Sequence, residues 1–188
     1  MSSTSKYLAR HRKRLIDEIL RVNHAGELGA DRIYYGQVTA LRTREPAKVE
    51  VVQHMWNQEK EHLETFERLL IKKRAQRSLL SPLWNVGGFA LGYVSGCLGS
   101  RAAMATTVAV EKVITEHYDE QLRKLVADKD ALEENKELIG LISKFRDEEQ
   151  EHHDTGLAHE AEQTPFYSLI YHGVQCLCKV SIKIAEKI

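Results

Sequence analysis

Apolar residues recur along this chain every three or four positions, in long runs interrupted at a few points, and the alternation expected of strands is hard to find. That spacing predicts a protein built almost wholly of helix. The first run, residues 14–41, is closed by the cluster Thr43-Arg44-Glu45-Pro46, and a second opens near Ala47 and extends to about Arg77. Ser81-Pro82 then introduces a stretch of different character, residues 83–98, rich in glycine and apolar residues and free of charge. Helical spacing resumes over residues 101–126, breaks in the polar turn 128–130, and continues over about 131–162. Pro165 precedes a last, strongly apolar helix, residues 166–184.

Four long helices with a connecting segment between the second and third describe a bundle with a long crossover. This is the ferritin-like arrangement, whereas short loops throughout would describe a plain up-and-down bundle. The fold class expected is therefore all-α, a ferritin-like four-helix bundle with a long crossover and extra apolar helices. A length of 188 residues suits one such domain, placed at residues 14–188. Ahead of it, Lys6, Arg10, Arg12, Lys13 and Arg14 follow a Ser/Thr run and meet no acid until Asp17. Residues 1–13 fit a basic arm against anionic lipid, a targeting remnant, or a solvated tail that joins the first helix.

Charge changes this picture little. Lys plus Arg and Asp plus Glu balance at 27 each, which gives no reason to expect nucleic acid as a partner. Cys97, Cys176 and Cys178 form an odd set without a C-x-x-C pair, against both a disulfide framework and a thiolate metal site, so the chain reads as intracellular. No uninterrupted apolar run reaches the roughly eighteen residues of a conventional transmembrane helix. The stretches 83–98 and 166–184 suit either a membrane interface, with Trp84, Tyr93, Tyr167 or Tyr171 at head-group depth, or a cap on the bundle core.

The candidate chemistry lies in two E-x-x-H motifs, Glu59-Lys60-Glu61-His62 on the second helix and Glu149-Gln150-Glu151-His152 on the fourth. Residues three apart share a helix face, so each motif aims a carboxylate and an imidazole at one point. Roughly one such motif is expected by accident in a chain this rich in Glu and His, and either alone would read as a solvated face with an incidental histidine. Position separates the two readings. Each motif-bearing helix follows one with a Glu in small or apolar surroundings: Glu27 in His24-Ala25-Gly26-Glu27-Leu28-Gly29-Ala30, and Glu111 in Thr107-Val108-Ala109-Val110-Glu111. A core carboxylate is costly unless paired or bound to metal. The halves also repeat: Glu27, Tyr34 and Gln37 return 84 positions later as Glu111, Tyr118 and Gln121, and the two motifs lie 90 positions apart. A pseudo-two-fold bundle in which each half supplies half of a metal pair produces such a repeat.

Glu27, Glu59, His62, Glu111, Glu149 and His152 are thus the candidate metal ligands, with Glu59 and Glu149 placed to bridge and Glu27 and Glu111 more terminal. Carboxylate and imidazole together suit iron or manganese. A metal-bound histidine usually gives its second N–H to an oxygen, and Gln58 and Glu148, next to the motifs, are the candidates for that role. Tyr34, Tyr118 and His117 lie about two turns beyond Glu27 and Glu111, within reach for proton or electron delivery, although packing is the commoner fate of such tyrosines. His24 suits packing or an outer contact better than ligation, and His54, His153 and His159 suit the surface or core.

Four segments together resemble one family. His24-Ala25-Gly26-Glu27, Trp56-Asn57-Gln58-Glu59-Lys60-Glu61-His62, Pro82-Leu83-Trp84-Asn85 and Phe145-Arg146-Asp147-Glu148-Glu149-Gln150-Glu151-His152-His153 closely resemble the demethoxyubiquinone hydroxylases of ubiquinone biosynthesis. The resemblance runs from about Arg14 to the end of the chain and fills all six metal positions of the family. It implies two iron ions per chain and a monooxygenase that uses O2 to hydroxylate the ring of 2-polyprenyl-3-methyl-6-methoxy-1,4-benzoquinol. It further implies an electron donor such as NADH, acting through the quinone or a separate reductase. The implied location is peripheral, on the matrix side of the mitochondrial inner membrane, in a biosynthetic complex that includes a lipid-binding partner protein. The alternative is a ferritin-like iron-binding or ferroxidase protein without quinone hydroxylation, which has no evident use for an apolar crossover and tail. A purely structural or lipid-binding bundle leaves the buried carboxylates unexplained.

Overall fold

Among the described residues six α-helices follow one another: α1 (Ser3–Arg44), α2 (Val49–Lys73), α3 (Ser81–Cys97), α4 (Ser100–Ala127), α5 (Leu132–Ala158) and α6 (Tyr167–Ala185). The structure is a computed structural model that describes residues 3–188; Met1 and Ser2, at the head of the expected basic arm, lie outside the described residues. No strand occurs among the described residues, in keeping with an all-α, ferritin-like bundle.

The helix boundaries depart from the sequence reading where no residue type marks them. No Gly or Pro precedes Gly26, so α1 extends back to Ser3 through the basic segment. Arg12 forks onto Asp128 at 2.6 and 2.8 Å, tying this extension to the turn after α4. Helix α2 stops at Lys73 rather than near Arg77, because Arg74 takes a left-handed conformation (φ 52°) and the Ala75 N–H returns to Leu70 O at 2.9 Å. The charge-free crossover is itself a helix, α3, with Pro82 in its first turn, where a missing N–H costs nothing. Helix α5 likewise ends at Ala158, short of Glu162, and Glu160 turns left-handed (φ 64°).

Helices α1 and α2 pack as one pair and α4 and α5 as another, and the pairs close on a common interior. At one end of it Leu20, Phe66, Tyr118, Ile142 and Phe145 form an apolar cluster; at the other Tyr34, Val38, Val52, Met55 and Met104 form a second. On α1, α2 and α4 the Glu and His positions fall between these two clusters in sequence, and on α5 they follow Ile142 and Phe145 of the first.

Helix α3 lies along α1, and α6 along α4. The α1–α3 contact is backbone to backbone. A Cβ on Gly88 would come 2.7 Å from Gly29 O, and one on Gly92 would collide with Ile33 O, so glycine is required for this approach. At the far end of α6, Arg21 donates to the terminal carbonyls of Ala185 and Glu186, both at 2.8 Å, satisfying groups a helix end leaves unpaired. Glu45 joins the end of α1 to the start of α4 by accepting from the Ser100 N–H at 2.8 Å and hydroxyl at 2.5 Å, bonds that hold its carboxyl below the usual range. No described helix is long and apolar enough to cross a membrane. Leu83, Val86, Val94, Phe166, Leu169, Leu177 and Val180 are nonetheless exposed.

Candidate metal centre

The four bundle helices place Glu27 (α1), Glu59 and His62 (α2), Glu111 (α4), and Glu149 and His152 (α5) inside the core, each at 2% exposure or less. They meet in two overlapping groups. Glu27, Glu59, His62 and Glu149 each offer an atom within 4.8 Å of the others, and so do Glu59, Glu111, Glu149 and His152. Glu59 and Glu149 belong to both groups and so occupy the shared positions, with Glu27 and Glu111 at opposite ends.

Both imidazoles turn Nδ1 inward. His62 Nδ1 lies 3.2 Å from Glu149 Oε1 and 3.5 Å from Glu27 Oε2, while His152 Nδ1 lies 3.0 Å from Glu59 Oε1 and 3.2 Å from Glu149 Oε2. Their outer nitrogens are held by crossed partners. His62 Nε2 donates to Glu148 Oε2 of α5 at 2.9 Å, and His152 Nε2 to Gln58 Oε1 of α2 at 3.0 Å. With the proton on Nε2, Nδ1 keeps the lone pair a metal requires.

The repeated tyrosines and glutamines also cross between halves. Tyr34 donates to Glu111 Oε1 at 2.7 Å, and Tyr118 donates to Glu27 Oε1. Gln37 donates to Ala103 O at 3.0 Å, while Gln121 and Asn23 exchange two amide hydrogen bonds of 2.6 and 2.9 Å. The pattern E-x6-Y-x2-Q therefore encodes ties between α1 and α4. Asn23 was missed in the sequence, where its only signal was a place one turn before Glu27. His117 is not brought to either group. It lies 2.8 Å from the Gln121 amide nitrogen, and burial pushes its pKa down. His24 is buried, without a hydrogen bond at either ring nitrogen, 3.7 Å from Glu67 and outside both groups.

So many carboxylates in so little space alter one another's protonation. Burial and the nearby Glu149 push Glu59 up to about 8, and burial with Glu149 and Glu59 raises Glu111 well above the carboxylate range. Burial works against charge on the histidines, yet the carboxylates of Glu149 and Glu27 beside His62 push it up to about 12, and those of Glu149 and Glu59 beside His152 push it up to about 11. Burial keeps both tyrosines protonated, as donors to their carboxylates. Even so, Glu27 Oε2, both oxygens of Glu59 and Glu111 Oε2 are buried without a hydrogen bond. Orphaned carboxylate oxygens are among the costliest groups a core can hold, and a divalent cation among them would offset that cost. An all-oxygen-and-imidazole donor set of this kind is compatible with iron.

A cavity of about 260 Å³ lies between α1, α3, α4 and α6, lined in part by Gly26 and Val110, the neighbours of Glu27 and Glu111. Its lining is apolar, including Ala30, Ile33, Leu91, Val110, Ile114 and Cys178. Burial pushes the Cys178 thiol up to about 12, with a contribution from the Glu111 charge.

The family model described as ubiquinone biosynthesis protein COQ7 matches residues 14–185. This chain belongs to the COQ7 family. The COQ7 match takes in all six Glu and His positions, the α3 crossover and α6. Among curated relatives, the chain is 46% identical over 182 residues to a "NADPH-dependent 3-demethoxyubiquinone 3-hydroxylase, mitochondrial" of Caenorhabditis elegans, covering 97% of this chain and 95% of the relative. It is 47% identical over 173 residues to the Homo sapiens protein of the same name, covering 92% and 78% of the two chains. It is 43% identical over 174 residues to the "3-demethoxyubiquinol 3-hydroxylase" of Rhodospirillum rubrum, covering 93% and 79%.

Proposed function

We propose that this chain is an O2-dependent monooxygenase that hydroxylates the ring of demethoxyubiquinol in ubiquinone biosynthesis. In this reading two iron ions per chain are held by Glu27, Glu59, His62, Glu111, Glu149 and His152. The observation that carries it is the pair of buried Glu/His groups sharing Glu59 and Glu149, with orphaned carboxylate oxygens, beside an apolar cavity. The printed names of the relatives supply the substrate and the reaction.

Iron held by these six residues would supply the electrons that reduce O2. The chain's own residues do the rest. Glu148 and Gln58 fix the tautomer and plane of the two imidazoles, and Tyr34 and Tyr118 hold the outer carboxylates in place while keeping their own protons. The cavity under α3 and α6 accepts the apolar ring and tail and keeps water from the reacting carbon. One oxygen atom enters the ring as hydroxyl, the other leaves as water, and a donor returns two electrons and two protons per turnover. NADH or its phosphorylated form fits that role, since the C. elegans and human relatives are named NADPH-dependent.

The exposed apolar residues of α3 and α6, the absence of a membrane-crossing helix among the described residues and the word mitochondrial in those names support a peripheral place. We place the chain on the matrix face of the mitochondrial inner membrane, residues 14–188 forming the hydroxylase domain and residues 1–13 a basic arm. A lipid-binding partner in a biosynthetic complex would deliver substrate to the same face. The test is turnover of reduced demethoxyubiquinone by iron-loaded protein under isotopically labelled O2. A product carrying one labelled oxygen is expected; unlabelled product, or none, overturns the reading.

A further inference from the structure

The two halves of the centre match in the groups that face inward and differ in one that faces out. Each half offers a carboxylate tied by a tyrosine from the other half, a shared carboxylate and an imidazole with Nδ1 inward. The imidazoles' aromatic neighbours, Phe145 beside His62 and Tyr34 beside His152, are both uncharged at neutral pH. Behind the rings the symmetry fails: His62 Nε2 meets the carboxylate of Glu148 at 2.9 Å, and His152 Nε2 meets the amide oxygen of Gln58 at 3.0 Å.

We infer that the two metal positions are inequivalent, the one on His62 taking a divalent cation before the one on His152, because Glu148 puts a negative charge behind one imidazole and Gln58 puts none behind the other. The inference rests on the metal reading of the centre. A neutral acceptor only orients an imidazole. A carboxylate also draws the N–H proton toward itself, makes Nδ1 a stronger donor and adds a Coulomb attraction for the cation across the ring. Lys144, 3.4 Å from the other oxygen of Glu148 and also 3.4 Å from Glu61, keeps that carboxylate in place while offsetting part of its charge. The Glu148 side chain is 22% exposed, so solvent screens the effect, and the low end of what such partners contribute, about tenfold in affinity, is expected. Glu148 is in this sense a positioning residue that also sets which site fills first.

The experiment is an anaerobic titration of the metal-free full chain with Mn(II), followed by calorimetry and electron paramagnetic resonance, which distinguishes an isolated ion from a coupled pair. The first equivalent should give mainly the isolated-ion signal, and the pair signal should grow with the second. Glu148→Gln preserves an acceptor for His62 Nε2 but removes its charge; it should weaken the first step about tenfold and bring the pair signal forward. Gln58→Glu should tighten the second step. Equal stepwise affinities in the unmodified chain, or a first step untouched by Glu148→Gln, overturns the inference while leaving a two-metal centre standing. No Mn(II) bound at all overturns the metal reading itself.

Discussion

Inside the four-helix bundle, four carboxylates and two imidazoles are 2% exposed or less, whereas at the start of the outer helix α6 Phe166, just before it, is 81% and Leu169, within it, 73% exposed. Charge is where apolar side chains are expected, and apolar side chains are where charge is expected. Each inversion is costly in a molecule that only has to fold. In the function proposed above, cations and protons would neutralise the interior carboxylates, and the apolar face of the outer helices would meet a substrate whose tail is itself apolar. The cavity between α1, α4, α3 and α6 is lined by residues of both the bundle and the outer helices.

Buried charge is concentrated at Glu149, which belongs to both Glu/His groups. Glu149→Ala should abolish pair formation and lower hydroxylation by well over about a hundredfold, the most that loss of an outer partner causes; near-normal iron content by elemental analysis would contradict this. The outer helices are tested next. Gly92→Val drives a branched side chain into the α1 backbone at Ile33, and should cost about 3 kcal/mol in urea unfolding and raise KM for the quinol, with iron content unchanged. Unaltered stability would show that α3 does not need its close seat.

The interior also predicts a pH dependence. Metal-free protein holds protons on Glu59 (raised to about 8), His62 (about 12) and His152 (about 11) that the unfolded chain releases at ordinary carboxylate and imidazole values. The folded state therefore binds more protons than the unfolded one above about pH 6.5, and stability falls as pH rises, by about 1.4 kcal/mol per pH unit for each proton retained. Thermal melts between pH 6.5 and 8.5 should show Tm falling without metal and a weaker fall with Mn(II) bound; a rising Tm in metal-free protein would contradict the electrostatics. The smallest effect belongs to the surface. Serine at both Phe166 and Leu169 should weaken flotation on anionic vesicles by about tenfold, given the apolar area removed, and leave the metal centre intact.

Much of this was legible in the chain because helical spacing and an internal repeat are local signals. The order of the four bundle helices and the six Glu and His positions follow from them, whereas the crossover 83–98 showed only as a charge-free connection and is the helix α3. Contacts made between helices were not legible. Gln58 stands next to the Glu59 motif yet meets His152, and Glu148 stands next to Glu149 yet meets His62, because the crossing depends on how α2 and α5 pack. Tyr118 and His117 are neighbours about 100° apart on a helix, so only one faces Glu27, and spacing counted in turns did not separate them. Boundaries failed where backbone geometry had no residue to announce it, as at Arg74, which takes a left-handed conformation without glycine.

The central claim is most directly tested by loading the chain with ferrous iron in the absence of O2, counting iron and recording a Mössbauer spectrum after oxidation. Two irons per chain in one magnetically coupled pair are predicted. A single uncoupled iron, or none retained, would contradict a centre built from Glu27, Glu59, His62, Glu111, Glu149 and His152.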